Sequence, residues 1–159
     1  MFAKKIIISI LLVISSINTC LATNGRFGLG ISNQPETNIE NISFKIHTSQ
    51  RSAYGGVLGV SNAETGGYVV GLKLYRKLIQ EENLNFFGAI FGAYVSEDAE
   101  PNEISGLQGD LTIGVEYFFQ GLEHLGFSFE TGLSINTFND FEFKTRALNT
   151  IQGAIHFYL

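Results

Sequence analysis

Six ionisable side chains, Lys45, His47, Lys73, Asp110, Glu116 and Glu130, sit beside apolar residues in short runs that alternate in character. Two kinds of chemistry deserve a test. Carboxylates brought together, as Glu116 and Glu130 would be on neighbouring segments, perturb each other's titration and serve as acid and base. A histidine two residues from a serine, as in His47-Thr48-Ser49, offers a base beside a nucleophile. The plainer reading weighs more: the acids pair with Lys45 and Lys73 as a structural plug, because an isolated buried charge is too costly to keep. Gln152, His156 and Tyr158 fall on the same kind of face and join that network as an expectation.

The elements that must position these residues are strands. From 149 to the end, Ile151, Gly153, Ile155, Phe157 and Leu159 alternate with Thr150, Gln152, Ala154, His156 and Tyr158, the period of two that sends successive side chains to opposite faces. Seven further runs share the pattern, at 26–32, 42–48, 53–61, 68–77, 84–95, 106–119 and 125–136. The run 84–95 is apolar on both faces, so its sense stays open between Phe86, Ile90 and Tyr94 on one side and Phe87, Phe91 and Val95 on the other. Polar, Gly-rich or acidic links separate the runs. Those at 33–41, 62–67, 96–105 and 137–148 read as long loops, and those at 49–52, 80–83 and 120–124 as tight turns. The segment 96–105 reads as solvated; its acids do not have the spacing of an EF-hand calcium loop.

The bulk properties agree with one β domain. Of 159 residues, 45% are hydrophobic and only 16% charged, with 18 Gly and 14 Phe. Met1 to Ala22 reads as a secretory signal: Lys4 and Lys5, an apolar core from Ile6 to Ile14, and a small-residue cleavage site before Thr23. Its removal takes the sole cysteine, Cys20, and leaves 15 acidic residues against 8 basic ones. That balance excludes a basic nucleic-acid face, and without cysteine there is neither disulfide nor thiolate metal site. Gly25 to Gly30 has phosphate-loop spacing but does not join a strand to a helix, and no other cofactor motif stands out. After the signal no apolar run approaches the ~20 residues of a spanning helix, so a membrane could be crossed only by strands.

The polar faces carry few charges, mixed in sign among Gly, Ser and Thr, which suits the tight inside of a small barrel better than a wet surface. On the apolar faces, rings gather near the two ends: Phe27, Tyr54, Phe86, Tyr117, Phe119, Phe127 and Phe157 at one, Tyr68, Tyr94 and Phe138 at the other. Such girdles mark the two rims of a membrane barrel. With its alternating runs and its end Ala154-Ile155-His156-Phe157-Tyr158-Leu159, the chain after the signal resembles the small bacterial outer-membrane β-barrel proteins, the OmpA-like and OmpX-like group; the family's terminal signal usually closes on Phe where this chain has Leu159.

The resemblance implies an all-β, eight-stranded, antiparallel up-and-down transmembrane barrel at 23–159. It also implies the outer-membrane bilayer and the barrel-assembly machinery as partners, and says little about activity; the leading expectation is a monomer without catalysis, in a structural or surface-interaction role, since eight strands leave an interior just large enough for side chains. Two other functions stay open. Lipid A deacylases of the outer membrane use a His-x-Ser pair, which makes His47 and Ser49 the enzyme candidates; a soluble periplasmic barrel for an apolar ligand is the third reading.

Overall fold

The computed structural model describes residues 25–62, 66–99, 102–138, 140–146 and 151–159, with the side chains of 99, 102 and 103 left aside. The expected signal segment lies outside the described residues. Strands β1 (Phe27–Ser32), β2 (Asn41–His47), β3 (Ser52–Ser61), β4 (Gly66–Gln80), β5 (Leu84–Ala99), β6 (Asn102–Phe118) and β7 (Leu125–Asn136) each pair antiparallel with the next. The wall is then completed by two strands in line. β8 (Glu142–Arg146) pairs with the second half of β7, and β9 (Gln152–Tyr158) with its first half. β9 also pairs with β1, Gly28 opposite Tyr158 and Ser32 opposite Ala154, which closes the sheet into a barrel of eight staves. The main ladder thus closes on itself through β9 and β1, while β8 extends it on β7 alone.

Closure depends on close backbone approach. A Cβ on Gly30 would fall 1.7 Å from the carbonyl oxygen of Ile155, so only glycine lets β1 dock on β9 there. Gly28 and Gly126 make a notch for the Tyr158 ring, where an added Cβ would lie 2.7 and 2.9 Å from it. In the link 119–124, Gly121 turns the chain at φ +82°, a conformation that L side chains rarely adopt.

Three expectations about the connections need correction. Most of the segment 96–105 is ladder and not loop: 96–99 pair with 102–105, in register out to Ala99 opposite Asn102, because backbone pairing satisfies a hairpin even where its side chains are acidic. The segment 137–148 contains β8, so the eighth stave is assembled from two pieces. The contrast between long and short connections therefore disappears. At one end the links are 33–40, 62–65, 100–101 and 137–141; at the other, 48–51, 81–83 and 119–124. The first group is called here the far end and the second the N-terminal end.

The sense of β5 is resolved: Phe87, Ala89, Phe91, Ala93 and Val95 are buried inside, while Phe86, Ile90 and Tyr94 are exposed outside. The interior consequently has two unlike walls. β3 to β5 contribute Ala53, Val57, Val69, Tyr75, Phe87, Phe91 and Val95, with Ile39 from the first connection packed among them. Facing them are Ser43, Lys45 and His47 from β2 and a polar wall from β6, β7 and β9: Asp110, Thr112, Glu116, Ser128, Glu130, Ser134, Gln152 and His156. Phe138, expected in the outer ring of aromatics, is half-buried and packs against the apolar wall, where its ring gains buried apolar area beside the Ile39, Val57, Val69, Phe91 and Val95 cluster.

Candidate functional site in the barrel interior

Inside the barrel the polar side chains fall into three tiers. Nearest the N-terminal end, Lys45 Nζ donates to Glu116 Oε1 at 2.9 Å, and the Tyr158 hydroxyl donates to the same oxygen. Lys45 also stands 4.4 Å from the Tyr75 ring centroid and 5.0 Å from that of Phe87, so one ammonium ties the polar wall to the apolar one. In the middle tier Lys73 reaches across from β4 and meets both oxygens of Glu130 at 2.7 Å, while Thr112 Oγ1 donates to Oε2 at 2.6 Å. Further up, Asp110 accepts from Ser134 at 2.7 Å and from Gln152 at 2.9 Å, with Gln108 at 3.0 Å and Arg146 Nε at 3.8 Å. His156 Nε2 shares a 2.8 Å hydrogen bond with Ser43.

The first connection, read as a long polar loop, is folded into the far end as a lid on these tiers. Gln34 is buried, donates to Asp110 at 3.2 Å and accepts from Lys73. The Glu36 backbone N–H donates to Gln108 Oε1 at 2.9 Å, and the Glu36 carboxylate is paired with Arg146 and Lys144. On the opposite side, Glu97 Oε2 accepts from Thr37 Oγ1 at 2.7 Å and Oε1 from Asn38 Nδ2 at 2.8 Å. Burial works against that carboxylate, but the hydrogen bonds from Thr37 and Asn38 outweigh it and hold its pKa below the ordinary carboxylate value. Ile39 then anchors the loop in the apolar wall.

All eight residues singled out for the polar network, Lys45, His47, Lys73, Asp110, Glu116, Glu130, Gln152 and His156, are buried in the interior. The structure brings them together as Lys45 with Glu116, Lys73 with Glu130, and Asp110 with Gln152; His47 stands apart, its ring 5.4 Å from that of Tyr158. Gln34, Glu36, Glu97 and Arg146 also join the network and were missed. A signal existed for Arg146: Phe141 and Phe143 alternate with Glu142, Lys144 and Arg146. Glu97 lies in phase with Phe91 and Val95, and became visible only once β5 was continued past 95. For Gln34 and Glu36 there was no such signal.

The outer aromatics sit at the two ends. Tyr117, Phe119 and Phe127 stack edge to face at 4.9 and 5.5 Å near the N-terminal end, where Phe27, Tyr54 and Phe157 also face outward; Tyr68 and Tyr94 meet at 5.9 Å toward the far end. His47 and Ser49 share no hydrogen bond among the described residues. The Ser49 hydroxyl accepts from the backbone N–H groups of Arg51 and Ser52 at 3.3 and 3.0 Å, and it is bound into the turn. Each buried carboxylate is likewise engaged by several donors, which suits fastening better than proton exchange.

The geometry defines a closed, eight-stave antiparallel barrel with polar tiers inside and an apolar outer surface. No family model matches the chain, and no curated protein does. Among solved structures it is similar to the N-terminal β-barrel domain of OprF from Pseudomonas aeruginosa, at a TM-score of 0.56 and 10% identity, covering 86% of this chain and 98% of that one. At that identity the likeness shows a shared fold.

Proposed function

We propose that this chain is a transmembrane barrel of the outer membrane of a Gram-negative-type bacterium, exported through a cleaved segment at 1–22. Its role in this reading is structural or surface-interactive, with a fastened interior and no catalysis. One observation carries the reading: the outer surface is built from Leu29, Leu58, Leu72, Ile90, Leu111, Ile113 and Ile155, all exposed, while Lys73, Glu116 and Glu130 are sealed within. A water-soluble barrel puts its apolar faces inside and its charges outside. An apolar belt of this extent in water would be an aggregation site.

Supporting features point the same way. The aromatic rings at both ends sit where hydrocarbon would meet headgroups, and the closure of β9 on β1 pairs the backbone of the main ladder within the chain, as a spanning barrel requires. The β9 strand, whose last residues resemble an assembly signal, is the one that closes on β1. The lid over the far end favours a surface or scaffold role over a wide pore. Cell fractionation with a heat-modifiability gel tests the proposal. The protein is expected in the outer-membrane pellet, with a mobility that changes on boiling; recovery in the soluble periplasmic fraction without detergent would overturn it.

A further inference from the structure

The N-terminal end of the barrel opens into a mouth of about 1070 Å³ that none of the three tiers uses. Its residues differ in kind from those of the lidded far end. His47 and Asn85, each only 8% exposed, line it, and His47 Nδ1 and Asn85 Oδ1 have no hydrogen-bond partner among the described residues. Lys77 and Arg26 line it as well, and neither has a carboxylate within ion-pair distance among the described residues. Arg26 instead lies over the Phe118 and Tyr158 rings, at 5.7 and 5.1 Å, and donates to the Glu123 backbone oxygen.

Of the acids at the rim, the Glu123 side chain is engaged by the Gly121 N–H at 2.9 Å, and Glu81 and Glu82 stand exposed on the outer turn. Buried polar atoms are ordinarily satisfied, so two orphans in one cavity ask for a group that both accepts and donates. Two cations without partners beside them ask that the group be anionic.

We infer that the N-terminal mouth is a binding site for a hydroxyl-bearing oxyanion of the phosphate class, held by Lys77, Arg26, His47 and Asn85. Lys77 and Arg26 donate to its charged oxygens, a His47 Nδ1–H donates to a third, and its P–OH donates to Asn85 Oδ1. Chloride has no hydrogen to offer Asn85. The phosphate is either free or the terminal monoester of a lipid such as phosphatidic acid, since a phosphodiester headgroup has no P–OH for Asn85; the site itself requires only the closed barrel, not a bilayer.

The test uses the chain from Thr23 onward, with ring-¹⁵N-labelled histidine, folded into phosphatidylcholine nanodiscs and titrated with inorganic phosphate against potassium chloride of equal ionic strength. The His47 resonance is assigned by its loss in His47→Gln. A saturable shift of that resonance with phosphate alone is expected, and Lys77→Gln or Arg26→Gln should weaken half-saturation by about tenfold, the worth of one charge-assisted bond. Nanodiscs containing phosphatidic acid and no added phosphate separate the sources: a shift already present there assigns the site to a monoester headgroup. No saturable shift in either disc, or a shift that both variants leave unchanged, would overturn the inference. Heat-modified mobility of each sample shows independently whether the barrel formed, so a failure of the membrane reading is seen as such.

Discussion

The two walls of the interior are held by different physics. The apolar wall of β3 to β5 is stabilised by area and packing, spread over Val57, Val69, Phe87, Phe91 and Val95, where each side chain contributes separately. The polar wall of β6 to β9 is stabilised by reciprocity, since each of Glu116, Glu130 and Asp110 is tolerable inside only because its partners are present. The contrast teaches where the barrel is brittle. Damage to the first wall is graded, and damage to the second is abrupt.

The largest effect expected is therefore Lys73→Ala, which strands Glu130 among neutral donors. It should cost about 3–5 kcal/mol in urea unfolding from lipid vesicles, and adding Glu130→Gln should return most of that loss. On the opposite wall Val95→Ala, at a fully buried position, should cost about 2 kcal/mol, with no second substitution able to rescue it through charge. If the two walls responded alike, and the Lys73 loss were not recovered, the distinction would be lost.

The lid tests where the walls meet. Glu97→Gln replaces a carboxylate accepting from Thr37 and Asn38, and should cost about 1 kcal/mol, seen as faster amide exchange in 34–39. The pH dependence has a definite sign. Because its folded pKa lies below the unfolded one, Glu97 contributes stability above the ordinary carboxylate range and loses it as pH falls through the folded value. Acid should thus loosen the lid in the parent chain and have a smaller effect in Glu97→Gln.

The sequence made some of this legible for a simple reason: period two separates faces wherever they differ in polarity. The runs containing Lys45, Lys73, Glu116 and Glu130 could be oriented from it, and the eight-stave barrel with them. β5 could not, because Phe86 and Phe87, or Ile90 and Phe91, present equal hydrophobicity to lipid-like and protein surroundings. The hairpin 96–105 was opaque because composition measures solvation and not backbone pairing. The inward fold of 33–40 was opaque for a deeper reason. Gln34 and Glu36 look solvated until Lys73, Asp110, Arg146 and Lys144, distant in the chain, are brought to the same end.

The central claim is that the outer aliphatic surface faces hydrocarbon. A chain from Thr23 onward has no cysteine, so a nitroxide can be attached through Leu72→Cys alone, at a position 70% exposed and midway along the outer face of β4. Power-saturation EPR in vesicles should find that label relaxed by molecular oxygen and shielded from a water-soluble nickel chelate. Free access of the chelate to the Leu72→Cys label in a folded barrel would contradict the account.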